Sequence, residues 1–572
     1  MINNYGQTYT ENRKKCQAAW KSLERLPSPL LEYCLPFILA DMCNNRYAKS
    51  ILQCLFSIEP ITVRGADVTV HSLSYDSREV RAGAAFFALP GVHTDGSKFI
   101  DAAIAKGAVA VIHEKNLPLY QEHICYVQVP DVRAAMAAAA AVFFDEPSKD
   151  LVTIGVTGTE GKTSTVDFIW QLLRLAGKKA GFSSTVSFSF GDEPVANPAH
   201  QTTPESITVQ ERLARMRDNG CEYAVVEASS HGLSPRTARL LHVQFDAGVF
   251  MNVTQEHLEF HGTFEQYRYD KANLFRSLDT HDHKKKNGTV AAFGIVNLED
   301  PSAAYFAQAT KYPVFGFSVQ KHTGSAAAVP FSNFAGGLSA DHVQEGENGL
   351  TFTIHAAFNG VQKTYEAAAP VTGFFNVYNI LASLIAVHNL TGLPFDMLVP
   401  LLNRFMPVRG RMCRVEEGQG FEVLIDYAHT PSSFQAIMPS VRDRVKAKGG
   451  RVIAVFGSGG ERDTVKRPEQ GRIAGDYCDV IILTDEDPRG EDPVELLEMI
   501  AAGCPHKKRG EELFIIPDRS TAIRKAFSLA QPNDAVLLLG KGHENSIIGK
   551  NGAVPYDEYT EAHNALQELR DF

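Results

Sequence analysis

No Cys-x-x-Cys pair occurs among the nine cysteines of this 572-residue chain, which leaves a zinc site or a disulfide framework without support. Basic runs are equally scarce. With 56 Lys and Arg against 66 Asp and Glu the formal net charge is −10, so nothing suggests nucleic acid as a partner. The one lysine triplet, Lys284 to Lys286, sits between Asp282 and Asn287 and reads as a solvated loop. No stretch is long and apolar enough to enter a membrane, and Pro27, Pro29 and Pro36 interrupt the early apolar stretches that a signal peptide would need. The expected setting is a reducing cytoplasm. Nothing in the sequence speaks to oligomeric state.

What is present begins with Thr157-Gly158-Thr159-Glu160-Gly161-Lys162-Thr163-Ser164, between the apolar run Leu151 to Val156 and the helix-like Val166 to Ala176. A strand, a glycine turn and a helix N-terminus form an anion cradle: backbone N–H groups and the helix dipole face a phosphate, Lys162 reaches the outer phosphates, and a hydroxyl can hold Mg²⁺. The strict P-loop spacing fails, because Val156 stands where it needs glycine, and a structural turn is the competing reading.

The length predicts three or four domains. Residues 1–60 read as a helical extension that carries Cys16, Cys34, Cys43 and Cys54 and no attributable chemistry. Residues 61–148 alternate short strands (Ala85 to Leu89, Ala108 to Ile112, Ile124 to Val129) with helix-like stretches such as Phe99 to Lys106, as a small α/β domain does. Residues 149–408 repeat that pattern, with strands at Leu151 to Val156, Tyr223 to Glu227, Ala247 to Asn252 and Gly294 to Val296. A mostly parallel sheet covered on both faces follows, with ligands at the carboxyl ends of its strands. The last part, 409–572, has its own strands at Glu422 to Asp426, Val452 to Phe456, Val480 to Thr484 and Ala535 to Leu539.

Two constellations lie beyond strand ends. Glu227 precedes Ala228-Ser229-Ser230-His231-Gly232-Leu233; an acid there can hold a nucleotide's metal, while the serine pair can equally be a helix cap. Asn252 to Gly262 concentrates His257 and His261 with Glu256 and Glu259, and Lys271 follows on an amphipathic helix, where composition alone makes it a surface lysine.

The TGTEGKTS loop, Thr202-Thr203-Pro204, EASSHGL, NVTQEHLEFHG with Lys271 following, GFFNVYN at 373–379, GRM at 410–412, DYAHTP at 426–431, GSGGERD with KRP at 457–468 and GKGHE at 540–544 occur in the order found in the Mur ligases. The chain most resembles the third of these, the MurE type, from about Ser72 to Glu544. The resemblance implies three α/β domains: a UDP-binding N-terminal domain, a central domain with a P-loop-type, mostly parallel sheet, and a Rossmann-like C-terminal domain that binds the amino acid. It implies an ATP-dependent ligase of peptidoglycan precursor synthesis. Such enzymes phosphorylate the D-glutamate carboxylate of UDP-N-acetylmuramoyl-L-Ala-D-Glu, and a diamino acid's amine then attacks the acyl phosphate.

Roles follow residue by residue. Gly158, Thr159, Glu160, Gly161, Lys162, Thr163 and Ser164 would cradle ATP, Asn379 would meet the adenine, and Arg411 and Asp426 would close on phosphates and ribose. Thr163 and Glu227 would ligate one Mg²⁺; His257 would ligate a second, together with Lys271 once CO₂ has carbamylated it. Ser77, within Tyr75 to Val80, and the Gly91 to Gly96 segment resemble the uridine-diphosphate site; Thr202, Thr203 and Ser229 resemble the muramoyl-peptide contacts, with Arg239 or alternatively Arg236 as the accompanying arginine. Arg462, Gly540 and Glu544 match positions that grip the amino acid's common end.

The chain departs from the family at three places. Glu160 stands where asparagine is usual, and a carboxylate there opposes the phosphate unless it points away or pairs with a cation. Gln201 replaces another asparagine. Where diaminopimelate enzymes read Asp-Asn-Pro-Arg, this chain has Glu486-Asp487-Pro488-Arg489. Arg489 suits a distal carboxylate, Asp487 a terminal ammonium, and the two adjacent acids favour L-lysine or L-ornithine over meso-diaminopimelate. The alternative from another class is a non-catalytic nucleotide-binding regulator on the same scaffold, with Glu160 as its sign.

Overall fold

The computed structural model describes residues 47–570, apart from 92–94, 199–200, 287, 321–330, 332 and 347. Most of the expected extension, with Cys16, Cys34 and Cys43, lies outside the described residues, as does the middle of the Gly91 to Gly96 segment. The chain forms two compact units, one ending at Asp145 and one starting at Glu146.

In the first unit, β1 (Thr62–Arg64), β2 (Ser72–Ser74), β3 (Ala84–Phe87), β4 (Ala108–His113) and β5 (Cys125–Gln128) pair in the order β1-β5-β4-β3-β2, all parallel except β1 against β5. Asp131 starts α1 (Val132–Phe143) by accepting the N–H groups of Arg133 and Ala134, and the helix buries a row of alanines. Ser77 lies half-buried in the turn after β2.

The second unit holds two main sheets besides two short hairpins. The larger comprises β6 (Val152–Thr157), β7 (Ala180–Ser183), β8 (Ser187–Ser189), β9 (Val195–Ala196), β10 (Tyr223–Glu227), β11 (Ala247–Phe250), β12 (Phe293–Asn297), β13 (Val314–Val319), β14 (Gly336–Gly346), β15 (Gly349–Phe358) and β16 (Val361–Ala369). Their order is β9-β8-β7-β10-β6-β11-β12-β13-β14-β15-β16, with a parallel block from β7 to β14. The antiparallel meander β14 to β16 escaped the sequence reading, because its polar residues alternate outward and no motif marks it. Helices α2 (Lys162–Leu175), α3 (Phe264–Ser277) and α4 (Asn376–Thr391) cover the block.

A row of glycines seats α3. Gly155, Gly248 and Gly294 stand in register on β6, β11 and β12. A Cβ at Gly155 would come within 2.4 Å of Leu274, and one at Gly294 within 2.5 Å of Phe275. The helix therefore lies directly on the sheet, and that close approach turns Lys271 inward at the end of β6.

The smaller sheet contains β17 (Cys413–Arg414), β18 (Glu422–Asp426), β19 (Val452–Phe456), β20 (Val480–Leu483), β21 (Leu513–Ile515) and β22 (Ala535–Leu539), ordered β17-β18-β22-β19-β20-β21 and parallel except for β17. Around it pack α5 (Pro431–Ala447), α6 (Lys466–Tyr477), α7 (Arg519–Leu529) and α8 (Glu558–Arg570). One expectation fails nearby in the larger sheet's flank: Lys285 is not solvated but buried, 2.8 Å from Asp246, whose other oxygen meets His283 at 2.9 Å. A buried carboxylate needed that cation, and only the fold could show it.

Candidate functional site

The glycine turn after β6 sits where the chain order reverses across the sheet, between β10 and β11, the crevice where such folds bind ligands. Gly161 has φ +83°, and a Cβ there would come within 2.7 Å of Asn379 Oδ1, so both conformation and space call for glycine. No side chain caps the start of α2, which leaves its first N–H groups directed at an anion. Thr159 N donates to Asn252 O at 2.9 Å, and Asn252 Oδ1 accepts from Glu160 N at 2.8 Å, which clamps the loop to the end of β11. Two lysines converge on it: Lys162 Nζ donates to Thr159 O (2.8 Å) and Lys271 Nζ to Gly158 O (2.6 Å).

Glu227, at the end of β10, is almost wholly buried. Its Oε1 accepts from Thr163 Oγ1 at 3.0 Å, and its Oε2 accepts from Thr185 N at 2.7 Å and Thr185 Oγ1 at 3.0 Å. Arg411 reaches over from the start of the smaller sheet and donates to the same Thr163 hydroxyl at 3.2 Å. Lysine, hydroxyl, carboxylate and guanidinium thus meet at one helix N-terminus.

Lys271 is 1% exposed, not a surface lysine. Burial, with Lys162 adding to it, drives its amine well below the usual lysine range. Glu256, whose role the sequence left open, has a buried Oε1 without a hydrogen-bond partner, and burial pushes its carboxyl up to about 7. The two histidines separate in role. His261 is locked between Asp270 Oδ2 (2.8 Å) and Ser230 Oγ (3.1 Å), whereas the His257 side chain is half exposed, on a left-handed residue of φ +54°.

Three other expected ATP contacts are engaged with the protein itself. Asn379 is buried under the loop, its Oδ1 accepting from Thr165 Oγ1 (3.1 Å) and its amide donating to Asn376 (2.8 Å), so it underpins the turn. Asp426 gives both oxygens to backbone, Oδ2 to Met412 N and Oδ1 to Ala428 N, each at 2.7 Å, which shapes the Arg411 turn; burial raises its carboxyl to about 6. Glu160 points across to Thr430, whose Oγ1 donates to its Oε1 at 3.3 Å. Ser164 is buried in the first turn of α2.

Thr203, Ser229 and Arg239 form one group. Ser229 Oγ and Ser229 N donate to Thr203 Oγ1 at 2.9 and 3.0 Å, and Arg239 Nη1 donates to Thr203 O at 3.0 Å while pairing with Glu205. The cap reading of the serine also holds, since Ser229 Oγ accepts from Gly232 N. Arg236 lies instead over the Phe260 ring. Thr202 is half-buried beside Thr203.

The amino-acid candidates other than Arg462 gather at the carboxyl ends of β20 and β22. Gly540 has φ +99°, and a Cβ there would approach Glu486 Oε2 to 2.8 Å; that oxygen is buried without a partner. Asp487 already holds a cation: its Oδ1 accepts from Lys541 Nζ and from Ile548 N, both at 2.9 Å. Lys541 also reaches Glu544 Oε2 at 2.6 Å. The half-buried Arg489 donates its backbone N–H to Ile548 O at 2.9 Å, Pro488 is buried, and Arg462 is exposed. Sequence reading passed over Lys541, although the GKGHE motif contains it, and over Arg467, which is fully buried in KRP and bonds Gly459 O at 3.2 Å.

The chain matches the Mur ligase family catalytic domain over residues 69–144, the Mur ligase middle domain over 156–387 and the Mur ligase glutamate ligase domain over 410–542. It is 59% identical over 533 residues to a UDP-N-acetylmuramyl-tripeptide synthetase of Treponema denticola, covering 91% of this chain and 98% of that protein. A protein of the same name from Treponema pallidum is 50% identical over 529 residues, covering 91% and 98%. A solved UDP-N-acetylmuramoyl-L-alanyl-D-glutamate–2,6-diaminopimelate ligase superposes with a TM-score of 0.56 at 28% identity, over 91% of this chain and 99% of its own. A three-domain match, near full-length relatives and a phosphate loop met by Glu227, Lys271 and Arg411 lead to one conclusion: the chain belongs to the Mur ligase family, in its MurE branch of UDP-N-acetylmuramyl-tripeptide synthetases.

Proposed function

We propose that this ATP-dependent Mur ligase adds a basic diamino acid, L-lysine or L-ornithine ahead of meso-diaminopimelate, to the D-glutamate of UDP-N-acetylmuramoyl-L-Ala-D-Glu in peptidoglycan precursor synthesis. The observation that carries the ligase chemistry is the junction of Lys162, Thr163, Glu227 and Arg411, with Arg411 supplied from the neighbouring sheet. Positive charge from two directions stabilises a phosphoryl group in transfer, and closure of the two sheets excludes water from the acyl phosphate.

The donor set suits Mg²⁺. Thr163 hydroxyl and Glu227 carboxylate are hard oxygen donors, and the partnerless Glu256 Oε1 points to a missing positive charge. Thr163, Glu227, His257 and Lys271 as a carbamate would hold the ions, which neutralise phosphate charge when bound. The depressed Lys271 amine supports that modification: as a neutral nucleophile it adds to CO₂, forming an N–C bond, releasing one proton and leaving an anion. Ser77, in the first unit, is assigned to the uridine diphosphate, and Thr202, Thr203, Ser229 and Arg239, in the second, to the muramoyl-peptide.

The choice of amino acid rests on charge at the ends of β20 and β22. Asp487 and Glu544 hold one cation between them, Lys541, leaving an excess of one negative charge for one ammonium. Residues 61–148, 149–408 and 409–572 are taken as the UDP, ATP and amino-acid domains. No described helix is long and apolar enough to cross a membrane, and the reaction is assigned to the cytoplasm, where ATP is available.

The test is phosphate release with ATP, Mg²⁺ and UDP-N-acetylmuramoyl-L-Ala-D-Glu, with L-lysine, L-ornithine and meso-diaminopimelate in separate reactions and product mass recorded. Turnover with lysine or ornithine and the matching mass gain is expected. Turnover with diaminopimelate alone refutes the charge argument, and binding of ATP without turnover on any of the three returns the regulator reading.

A further inference from the structure

We infer that Lys541 is a specificity-determining residue, and that position 487 selects the amino acid by holding this lysine's charge rather than by touching the substrate's ammonium; this rests on the ligase reading above. The Lys541 side chain is 0% exposed and lies between two carboxylates, 2.9 Å from Asp487 Oδ1 and 2.6 Å from Glu544 Oε2. Both partners are fixed from behind. Ile548 N donates to Asp487 Oδ1 at 2.9 Å, a backbone bridge ties Asp487 to Gly459, and Tyr427 OH donates to Glu544 Oε1 at 3.2 Å.

Asp487, Lys541 and Glu544 are thus one unit of two negative charges and one positive, a net −1 that complements a single ammonium. An asparagine at 487 would leave Lys541 paired only with Glu544. The unit would then be neutral, with a cation beside an anion, which complements an amino-acid end carrying both a carboxylate and an ammonium. In this chain the acid at 487 quenches the positive charge that would attract such a carboxylate. Specificity then comes from what is withheld as much as from what is offered.

The experiment measures kcat and KM of the full chain for L-lysine, L-ornithine and meso-diaminopimelate, with KM for ATP as a reference. The proteins are the native chain, Asp487→Asn, Asp487→Asn with Lys541→Met, and Asp487→Asn with Lys541→Arg. Asp487→Asn is expected to raise the diaminopimelate-to-lysine ratio of kcat/KM at least tenfold, through KM for the amino acid, with KM for ATP unchanged. Lys541→Met on that background should return the ratio to within threefold of native, and Lys541→Arg should keep it raised. A ratio unmoved by Asp487→Asn overturns the inference. So does a raised ratio that survives Lys541→Met, which would assign the carboxylate to Arg489. A Lys541→Met protein that fails to fold shifts the decision to the Lys541→Arg pair, where loss of the raised ratio in folded protein also overturns it. Failure of the ligase reading looks different: no native turnover with any of the three amino acids.

Discussion

Replacing Arg519 with Met should destabilise the C-terminal sheet by about 3–5 kcal/mol, the cost of leaving a buried charge without its partner. The Arg519 and Glu558 side chains are 1% and 0% exposed and meet as a two-point pair, Nε to Oε2 at 2.9 Å and Nη2 to Oε1 at 2.6 Å. The same guanidinium donates to Leu539 O at 2.8 Å and Asp485 O at 3.2 Å. Those carbonyls immediately precede Gly540 and Glu486, so one side chain ties helices α7 and α8 to both loops of the proposed amino-acid site. Adding Glu558→Leu to Arg519→Met removes the orphaned carboxylate and should recover part of the loss. Recovery stays incomplete, because each carbonyl has lost a donor worth about 1 kcal/mol. Urea unfolding followed by far-ultraviolet circular dichroism measures the stabilities, and steady-state kinetics should show a raised KM for the amino acid with KM for ATP unchanged. An Arg519→Met chain within 1 kcal/mol of native, on the scale of an exposed pair, would refute the reasoning. A double variant no more stable than the single one would do so equally.

Lys271→Ala should lose nearly all turnover, and millimolar-range bicarbonate should not restore it; native-like turnover would end the carbamate assignment. Glu160→Gln keeps an acceptor for Thr430 but removes a charge from the phosphate loop. At roughly 7 Å and an effective dielectric near 20, one such charge repels another by about 2 kcal/mol. Allowing for nearby cations, KM for ATP should fall about fivefold in that variant, and a constant or higher KM would show that the carboxylate is already neutralised. His231 is pushed down to about 3, chiefly by burial and then by His257 and His261. Its ordinary value of 6.5 lies above that, so its contribution to stability is complete above about pH 6.5 and is lost as pH falls toward 3. His231→Gln should therefore flatten the fall in urea midpoint between pH 7 and pH 5, and parallel native and variant profiles would rule the histidine out.

The phosphate loop could be read from the chain because strand, glycine turn and lysine-bearing helix start are local requirements of anion binding. The helix beyond it starts at Lys162, earlier than its apolar pattern at Val166 suggested, since its first turn is polar. The Glu227 segment was legible twice over: the acid ends β10, and Ser229 caps the next turn while bonding Thr203. Lys271 was legible only through its company of motifs. Composition placed it at the surface, and the glycine row under α3 is what buries it. The β14 to β16 meander was not legible, since strands with one solvated face carry alternation but no chemistry.

By itself the sequence determined the order of the motifs, the strand-then-loop placement of each, and hence the family, because these depend on residues near one another in the chain. The tertiary structure decided which charges cancel. Lys541 meets Asp487 across 54 positions and Thr430 meets Glu160 across 270. Whether an acid in the loop or the pocket is open to a ligand is settled by the partner that returning chain brings to it, and desolvation makes that partner the larger part of its energy.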